Sequence, residues 1–191
     1  MAFSGDDLFE ILNEDGTPTG RIKKRALVHR DGDLHGASHI FVVRLHQGRI
    51  QVLLQKRSQS KDSFPGWLDT SSAGHLDPGE SFDTAARREL SEELGINGPA
   101  PQFLFMQRQD YETSFHGASF HDREIDHVYM LELDQPEDAF QIEASEVDAV
   151  YWMDARDILQ TLTSQNDSIC ILPEEFKRLV PFLEAHFGVS L

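Results

Sequence analysis

The feature that most constrains this chain is a short amphipathic pattern that carries acidic side chains on its buried edge. Apolar residues recur at every fourth position between Ser81 and Gly95, namely at Phe82, Ala86, Leu90 and Leu94. This spacing predicts a helix whose apolar stripe packs against a core. Ser81 suits the N-cap and Gly95 suits the position that follows the last helical turn. The sequence therefore predicts both ends of the helix.

Three glutamates of this helix, Glu89, Glu92 and Glu93, are spaced so that they share one face. Like charges this close repel each other, and the helix dipole disfavours anions near the C-terminus. At about 100° per residue, Glu89 and Glu93 project close to the direction of Phe82. A solvated surface helix is the simpler interpretation of acidic residues, but it does not explain acids on the buried side. We therefore expect these carboxylates to bind a cation.

The segment 74–96, GHLDPGESFDTAARRELSEELGI, resembles the Nudix box, G-x5-E-x7-R-E-U-x-E-E-x-G-U, in which U is a bulky aliphatic residue. All the specified positions match, at Gly74, Glu80, Arg88, Glu89, Leu90, Glu92, Glu93, Gly95 and Ile96. The resemblance implies a loop–helix–loop that holds a divalent metal, usually Mg²⁺ with Mn²⁺ as an alternative, against a diphosphate.

The resemblance also implies roles for these residues. Glu89, Glu92 and Glu93 would be metal ligands, together with the carbonyl oxygen of Gly74. One of the three glutamates would act as general base, with Glu89 as the first choice. Glu80 and Arg88 would form an ion pair that braces the loop against the helix, and both therefore belong to the predicted catalytic set.

A narrower resemblance precedes the box. The stretch RSQSKDSFPGW, followed by GH, is similar to Nudix proteins related to isopentenyl-diphosphate isomerase. This resemblance implies that Arg57 and Lys61 bind the diphosphate and that Trp152 lies near the substrate. A solvated basic loop is the alternative for Arg57 and Lys61, but basic residues are few in this chain, and a guanidinium with an ammonium suits a diphosphate.

The same branch has histidines and acids that match further positions of this chain. His75 follows the box glycine, and HDREID over 121–126 resembles an acidic pair on a later strand. We therefore expect His75 and Glu124 among the metal ligands, with Asp122 as a further candidate. His29 and His35 resemble paired histidines of the branch and would form a second metal site. Structural or surface histidines are the alternative for each of these residues.

One departure from the branch bears on the chemistry. The isomerase uses a cysteine two residues before the box histidine, where this chain has Ala73, and its one cysteine, Cys170, is far away in sequence. Because a carbon acid needs a proton-transfer group beside it, we expect hydrolysis of a diphosphate linkage in a small nucleoside or organic diphosphate derivative. An isomerase with an atypical proton donor and a non-catalytic ligand sensor are the alternatives.

Composition limits the partners. The formal net charge of −16 argues against binding of a nucleic acid polymer. The longest apolar runs are too short for a membrane span, and the N-terminus lacks the pattern of a signal peptide. With a single cysteine and no internal disulfide, a cytoplasmic location is expected. We expect a small-molecule diphosphate as substrate and consider homodimerisation through an N-terminal hairpin.

The predicted fold class is α/β, a Nudix-like α/β/α sandwich with a mixed β-sheet and an N-terminal β-hairpin extension. We predict a single Nudix domain over 1–191, with the hairpin and an irregular connector over 1–36, the core over 37–165 and a C-terminal helical segment over 166–191. Strands are predicted at 8–12, 19–23, 38–45, 49–57, 68–72, 101–112, 125–133 and 149–154. Besides the box helix, we predict a helix over 155–163 and a final helix from Pro173 to Gly188, kinked or split at Pro181.

Overall fold

The computed structural model describes residues 7–61, 63–115, 118–164 and 168–191. Strands within these ranges are β1 Leu8–Leu12, β2 Pro18–Lys24, β3 His35–His46, β4 Arg49–Arg57, β5 Leu68–Asp69, β6 Ser72–His75, β7 Gln102–Phe115, β8 Ala118–Glu132 and β9 Val147–Asp154. Helices within them are α1 Arg25–Asp31, α2 Phe82–Leu94, α3 Ala155–Thr163 and α4 Pro173–Phe187.

Most of the strands form one mixed sheet with the order β5-β4-β3-β8-β7, to which β6 adds by pairing with β3 and β9 by pairing with β4. Strands β3 and β8 are parallel, whereas β3 pairs with β4 and with β6 in the antiparallel sense. Strands β1 and β2 form a separate antiparallel hairpin. The mixed sheet and the N-terminal hairpin are therefore confirmed.

The sheet lies between two layers of helices because the central strand β3 is apolar on both faces. Ile40 and Val42 belong to a buried cluster that includes Leu90 of α2. Phe41 and Val43 point the other way, into a second cluster that contains the apolar residues of α3 and α4, namely Ile158, Leu162, Phe176, Leu179 and Leu183. This is the predicted α/β/α sandwich.

Helix α2 begins and ends where the sequence predicts. The Ser81 side chain accepts a hydrogen bond from the backbone N–H of Thr84 at 3.2 Å. Gly95 adopts a left-handed conformation with φ of 68°, and its backbone N–H donates to carbonyl oxygens of the last turn. On the buried side, the Tyr129 hydroxyl donates to the Asp83 carboxylate at 2.7 Å. The first two contacts define the ends of the helix, and the third fixes its first turn against the sheet.

One prediction about the helices was wrong, and one of the two alternatives predicted at Pro181, a split helix, was also wrong. The connector predicted as irregular contains α1, which is stabilised because Val28 is buried with Phe9 of the β1–β2 hairpin. That packing is tertiary and leaves little periodicity in seven residues. Pro181 lies inside the continuous helix α4 rather than splitting it. Apolar residues on both sides of this proline are buried against the sheet, and their packing keeps the two parts of the helix together.

The predicted loop between the strands at 101–112 and 125–133 is shorter than expected. Strand β7 continues to Phe115 and β8 begins at Ala118, while His116 and Gly117 lie outside the described residues. The extra length comes from antiparallel pairing along the hairpin, which runs as far as Phe115 and Ala118. Most of the segment between the two predicted strands is therefore β-structure.

Candidate active site and metal centres

The box carboxylates lie where α2 faces β6. Glu93 is 5% exposed, and its Oε2 accepts a hydrogen bond from the backbone N–H of Ala73 at 3.2 Å. The Glu89 carboxylate covers Gly74, where there is no room for a Cβ. Glu92 is the more open member, with a side chain 59% exposed. The structure therefore brings the three predicted metal-binding glutamates to one side of β6.

Arg88 connects the helix to the loop that precedes it. Its Nε and Nη2 donate to the two carboxylate oxygens of Glu80 at 3.1 and 2.9 Å, and Nη2 also donates to the His75 carbonyl oxygen at 2.9 Å. Its Nη1 donates to Glu89 Oε1 at 2.6 Å. Burial raises the pKa of Glu80, but its bonds with Arg88 outweigh that effect and the net pKa is lowered. The predicted Glu80–Arg88 ion pair is present.

Two of the box carboxylates are poorly stabilised as anions by the protein alone. Burial, with the neighbouring charge of Glu89, raises the pKa of Glu93 to about 8. Burial also raises the pKa of Glu89, although Arg88 opposes the shift. Arg88 pairs with Glu89, while Glu93 is buried beside the Glu89 charge, and buried acids placed in this way hold either a proton or a cation. The site is therefore suited to a divalent ion.

A second cluster lies on the opposite side of β6, because His75 alternates with Gly74 along the strand. His75 Nε2 lies 2.9 Å and His35 Nε2 lies 3.4 Å from Glu124 Oε1. The Nε2 atoms of His29 and His35 are each 3.5 Å from Asp122 Oδ1. One ligand atom from each of His29, His35, His75 and Asp122 lies within 4.8 Å of the others.

Three atoms of this second cluster are buried without a hydrogen-bond partner, namely His29 Nε2, His35 Nε2 and Asp122 Oδ1. Buried polar atoms of this kind are costly unless they are paired. Burial lowers the pKa of His75 well below its usual value, so its imidazole is neutral, the form that binds metals. An imidazole and carboxylate set suits a divalent transition metal, and these residues therefore fit a second metal centre.

The predicted metal ligands are thus distributed between two clusters. His75 and Glu124, expected beside the box glutamates, contact each other and His35 on the opposite side of β6. Burial raises the pKa of Glu124, but its close approach to these two histidines outweighs burial and holds its pKa well below the usual value. Glu124 is therefore an anion in that cluster.

A cavity of about 140 Å³ joins β6 to the second cluster and is lined by Gly74, His75, Asp122 and Glu124. Arg57 also lines it. The Arg57 guanidinium donates to Asp69 Oδ2 at 2.7 Å through Nη1 and to the Ser63 carbonyl oxygen at 3.1 Å through Nε. The predicted diphosphate-binding arginine is thus held rigidly at the cavity wall.

The other predicted substrate-binding residues lie elsewhere. Lys61 pairs with Glu146, and its charge lowers the pKa of Glu93, so Lys61 is on the box side. The Trp152 indole donates to the Gln135 carbonyl oxygen at 2.9 Å. The Arg44 guanidinium stacks over the same indole, 4.2 Å from the ring centre. Among the described residues Trp152 does not line the cavity, and its substrate contact stays a prediction.

Cys170 is far from the box in sequence but not in the fold. Cys170 lines the same cavity, because its backbone N–H donates to the Leu68 carbonyl oxygen at 2.8 Å and thereby ties this segment to β5. Its thiol also donates to that carbonyl oxygen, at 3.3 Å. Burial, together with the Asp69 charge, raises the pKa of the thiol, so Cys170 is protonated.

Sequence reasoning missed several cavity residues. Arg25 of α1, His39 of β3, Gln109 of β7 and Glu175 of α4 all line the cavity. Asp126 lies close to His39 and Glu175. The sequence contained a signal for it, because Asp126 continues the alternation of Asp122 and Glu124 along β8. No local pattern indicates Glu175, because its place depends on how α4 docks on the sheet.

In the part of the chain that the structure describes, no helix is long and apolar enough to cross a membrane.

This chain is similar in sequence to known proteins. Nudix hydrolase 3 of Arabidopsis thaliana is 38% identical over 152 residues, which cover 78% of this chain but 19% of that protein. An isopentenyl-diphosphate Delta-isomerase of Aliivibrio fischeri is 27% identical over 176 residues, covering 91% of this chain and 94% of that protein. The chain thus corresponds to about a fifth of the Arabidopsis protein and to nearly all of the isomerase.

Similarity also extends to solved structures. A crystal structure of a Deinococcus radiodurans protein superimposes with a TM-score of 0.67 at 22% identity, covering 90% of this chain and 98% of that one. At this identity the superposition demonstrates a shared fold. The family model described as NUDIX domain matches residues 34–173. This chain therefore belongs to the Nudix family.

Proposed function

We propose that this protein is a metal-dependent hydrolase that cleaves a diphosphate linkage in a small nucleoside or organic diphosphate derivative. The observation that carries the proposal is the burial of Glu89 and Glu93 against β6, with the pKa of Glu93 raised to about 8. A carboxylate in such a position is costly unless a cation accompanies it. Diphosphates bind through the same cations.

Glu89, Glu92, Glu93 and the Gly74 carbonyl oxygen would hold one ion, Mg²⁺ or Mn²⁺. The second cluster, with its unpartnered atoms on His29, His35 and Asp122, would hold another, to which His75 and Glu124 contribute. When bound, such ions neutralise the charge that develops on the phosphates and lower the pKa of the attacking water. Arg88 keeps Glu89 in place through the 2.6 Å bond to Oε1.

The cationic side chains would bind the phosphate that does not react. Arg57 presents a guanidinium fixed by Asp69 and Ser63, and Arg25 lines the same cavity. Lys61 supplies a point charge on the box side. We assign the general base to Glu89, with Glu92 and Glu93 as the alternatives. Its carboxylate contacts Gly74, the other box residue proposed to hold the ion, and this contact supports Glu89 as the group that would take a proton from the attacking water.

An isomerase with an atypical proton donor is the second candidate, and one observation favours it. Cys170 lines the same cavity as Glu124, so a thiol and a carboxylate both lie beside the space for a substrate. The raised pKa of the thiol suits a proton donor more than a base. A non-catalytic sensor is the third candidate, but it has no need for a complete set of metal-binding glutamates.

The test is a Mg²⁺-supplemented screen of nucleoside di- and triphosphates, dinucleotides, sugar diphosphates and prenyl diphosphates. Metal-dependent cleavage, measured as phosphomonoester products or as free phosphate, supports the hydrolase and excludes the sensor. Conversion of isopentenyl diphosphate to its allylic isomer without phosphate release would establish the isomerase. Glu93→Gln should lose turnover and keep the fold, whereas the exposed Glu112→Gln should keep both. Activity of Glu93→Gln equal to wild type would refute the metal assignment.

The remaining assignments concern the whole protein. We propose a cytoplasmic protein with a small-molecule diphosphate as its substrate and no nucleic acid polymer as a partner. Homodimerisation through the hairpin is supported by two exposed apolar residues, Leu8 at 44% and Ile22 at 52%. Sedimentation of the wild type and of Ile22→Ser tests this assignment, because a dimer that uses this surface dissociates in the variant and a monomer is unchanged.

A further inference from the structure

A third group of metal-ligand side chains lies deeper under α4, on the sheet face that carries the second cluster. His39 extends from β3, Asp126 from β8 and Glu175 from the first turn of α4. One ligand atom of each lies within 4.8 Å of the others. We propose that His39, Asp126 and Glu175 form a separate binding site for a divalent metal ion, distinct from the box carboxylates and from the second cluster.

Strand register explains why these side chains meet. In the parallel pair β3–β8, Ala37 is opposite Asp126 and His39 is opposite Val128. In the antiparallel pair β7–β8, Gln107 is opposite Asp126. Because alternate residues share a face, His39, Asp126 and Gln107 all point towards α4. Two of the three proposed ligands, His39 and Asp126, are therefore positioned by strands, and Glu175 by helix α4, which makes the site rigid.

The contacts leave ligand capacity unused. His39 Nδ1 lies 2.9 Å from Glu175 Oε2, and Gln107 Nε2 donates to Asp126 Oδ2 at 3.2 Å and to Glu175. Asp126 is 0% exposed, and its Oδ1 is buried without a hydrogen-bond partner. A carboxylate oxygen in that condition carries a desolvation cost that a bound cation removes. The unpartnered oxygen is the observation that separates this group from an ordinary buried ion pair.

Charges would balance in the metal-bound state. The second and third clusters together bring four carboxylates, of Asp122, Glu124, Asp126 and Glu175, to one sheet face beside four histidines, His29, His35, His39 and His75. With the imidazoles neutral, as metal binding requires, these carboxylates carry four negative charges. Two divalent ions, one in each cluster, would neutralise them.

The ligand chemistry limits the kind of ion. One imidazole with two carboxylates suits Mn²⁺, Fe²⁺ or Zn²⁺, whereas Mg²⁺ prefers oxygen ligands alone. Three protein ligands leave coordination positions for water or a phosphate oxygen. His39 and Glu175 line the cavity, so those positions would face it. The proposal concerns binding and does not depend on whether the protein hydrolyses a diphosphate.

The first test uses the wild-type protein alone. Crystals are stripped with a chelator, soaked separately in Mn²⁺ and in Zn²⁺, and examined for anomalous scattering. A peak between His39, Asp126 and Glu175 with either metal supports the proposal. Absence of a peak there with both metals overturns it, whether or not peaks occur at the other clusters. Phosphate release plays no part in this readout, so a failure here and a failure of the hydrolase proposal are distinguishable.

The second test counts ions in solution. Mn²⁺ and Zn²⁺ binding to the stripped chain is titrated for wild type, for Asp126→Asn and Glu175→Gln, and for the exposed controls Asp138→Asn and Glu112→Gln. We expect Asp126→Asn and Glu175→Gln each to bind one ion fewer than wild type, for the metal that gave the anomalous peak. The two control variants should bind as many ions as wild type. Unchanged stoichiometry in both cluster variants, with only a lowered melting temperature, would show a structural hydrogen-bond network and overturn the proposal.

Discussion

Gly74 lies directly beneath Glu89, so that a Cβ built on Gly74 would stand 1.9 Å from Glu89 Oε1. The glycine of β6 and the first box glutamate of α2 are therefore in backbone-to-carboxylate contact. Only a residue without a side chain allows the strand and the carboxylate to approach this closely. The contact brings the backbone of Gly74 and a carboxylate of the proposed metal site together.

Replacing Gly74 with alanine should weaken metal binding and activity while changing the stability of the fold little. The atoms in the way belong to the end of a flexible side chain, so Glu89 moves aside at small cost in stability. We expect weaker Mn²⁺ binding at the box and phosphate release reduced by at least roughly 10-fold, within the range for disturbed metal sites. Calorimetric titration and the melting temperature measure the two effects. Gly98→Ala, where a Cβ meets nothing within 4 Å, is the control.

The Glu80–Arg88 pair should support the site without binding the metal. Glu80→Gln removes the charge of Glu80 but keeps a similar shape. Arg88 then keeps its ion pairs with Glu89 and Glu92. We expect a loss of roughly 10- to 100-fold in activity, as for other residues that orient metal ligands. Raised Mg²⁺ should restore part of the rate. A rate that stays low at every Mg²⁺ concentration would instead place Glu80 in the chemical step.

The stability of the metal-free protein should depend on pH through Glu93. Its pKa rises from an ordinary value of 4.5 to about 8 on folding. Between those values the folded state keeps a proton that the unfolded state has lost, so stability falls as pH increases over this range. With chelator present, Glu93→Gln should therefore gain melting temperature over wild type as pH goes from 5 to 8. An unchanged difference between the two proteins across this range would contradict the shift. Mg²⁺ at pH 8 should reduce the difference, because the ion stabilises the ionised form.

Arg57 should bind the substrate through its guanidinium geometry rather than its charge alone. Arg57→Lys keeps the charge opposite Asp69 but loses the donor arrangement that bonds both Asp69 and Ser63. We expect KM to rise by at least roughly 10-fold with a small change in kcat, the pattern of lost substrate binding. Arg49→Lys alters an exposed arginine that also pairs with an aspartate and should leave KM unchanged. Equal KM values for wild type and Arg57→Lys would exclude Arg57 as a phosphate ligand.

Local patterns in the sequence predicted the elements whose interactions are close along the chain. The caps of α2, its apolar stripe and the Glu80–Arg88 pair all involve residues fewer than fifteen positions apart. Strands β3 and β4 and helix α3 were also predicted, because the periodicity of their apolar residues and the turn residues beside them are local features of the sequence. The fold class followed from the order of those elements and from the resemblance of the box.

The tertiary structure decided which of the predicted ligands lie together. Glu89 and Glu124 were expected in one metal shell, but alternation along β6 directs Gly74 to the box helix and His75 to the second cluster. The cavity residues Arg25, Cys170 and Glu175 come from segments distant in sequence, brought there by α1 packing on the hairpin, by the Leu68–Cys170 bond and by the docking of α4. Sequence spacing determines the face on which a residue lies within its own element. The packing of elements that are far apart in the chain determines which of these faces meet. Local periodicity does not predict that packing.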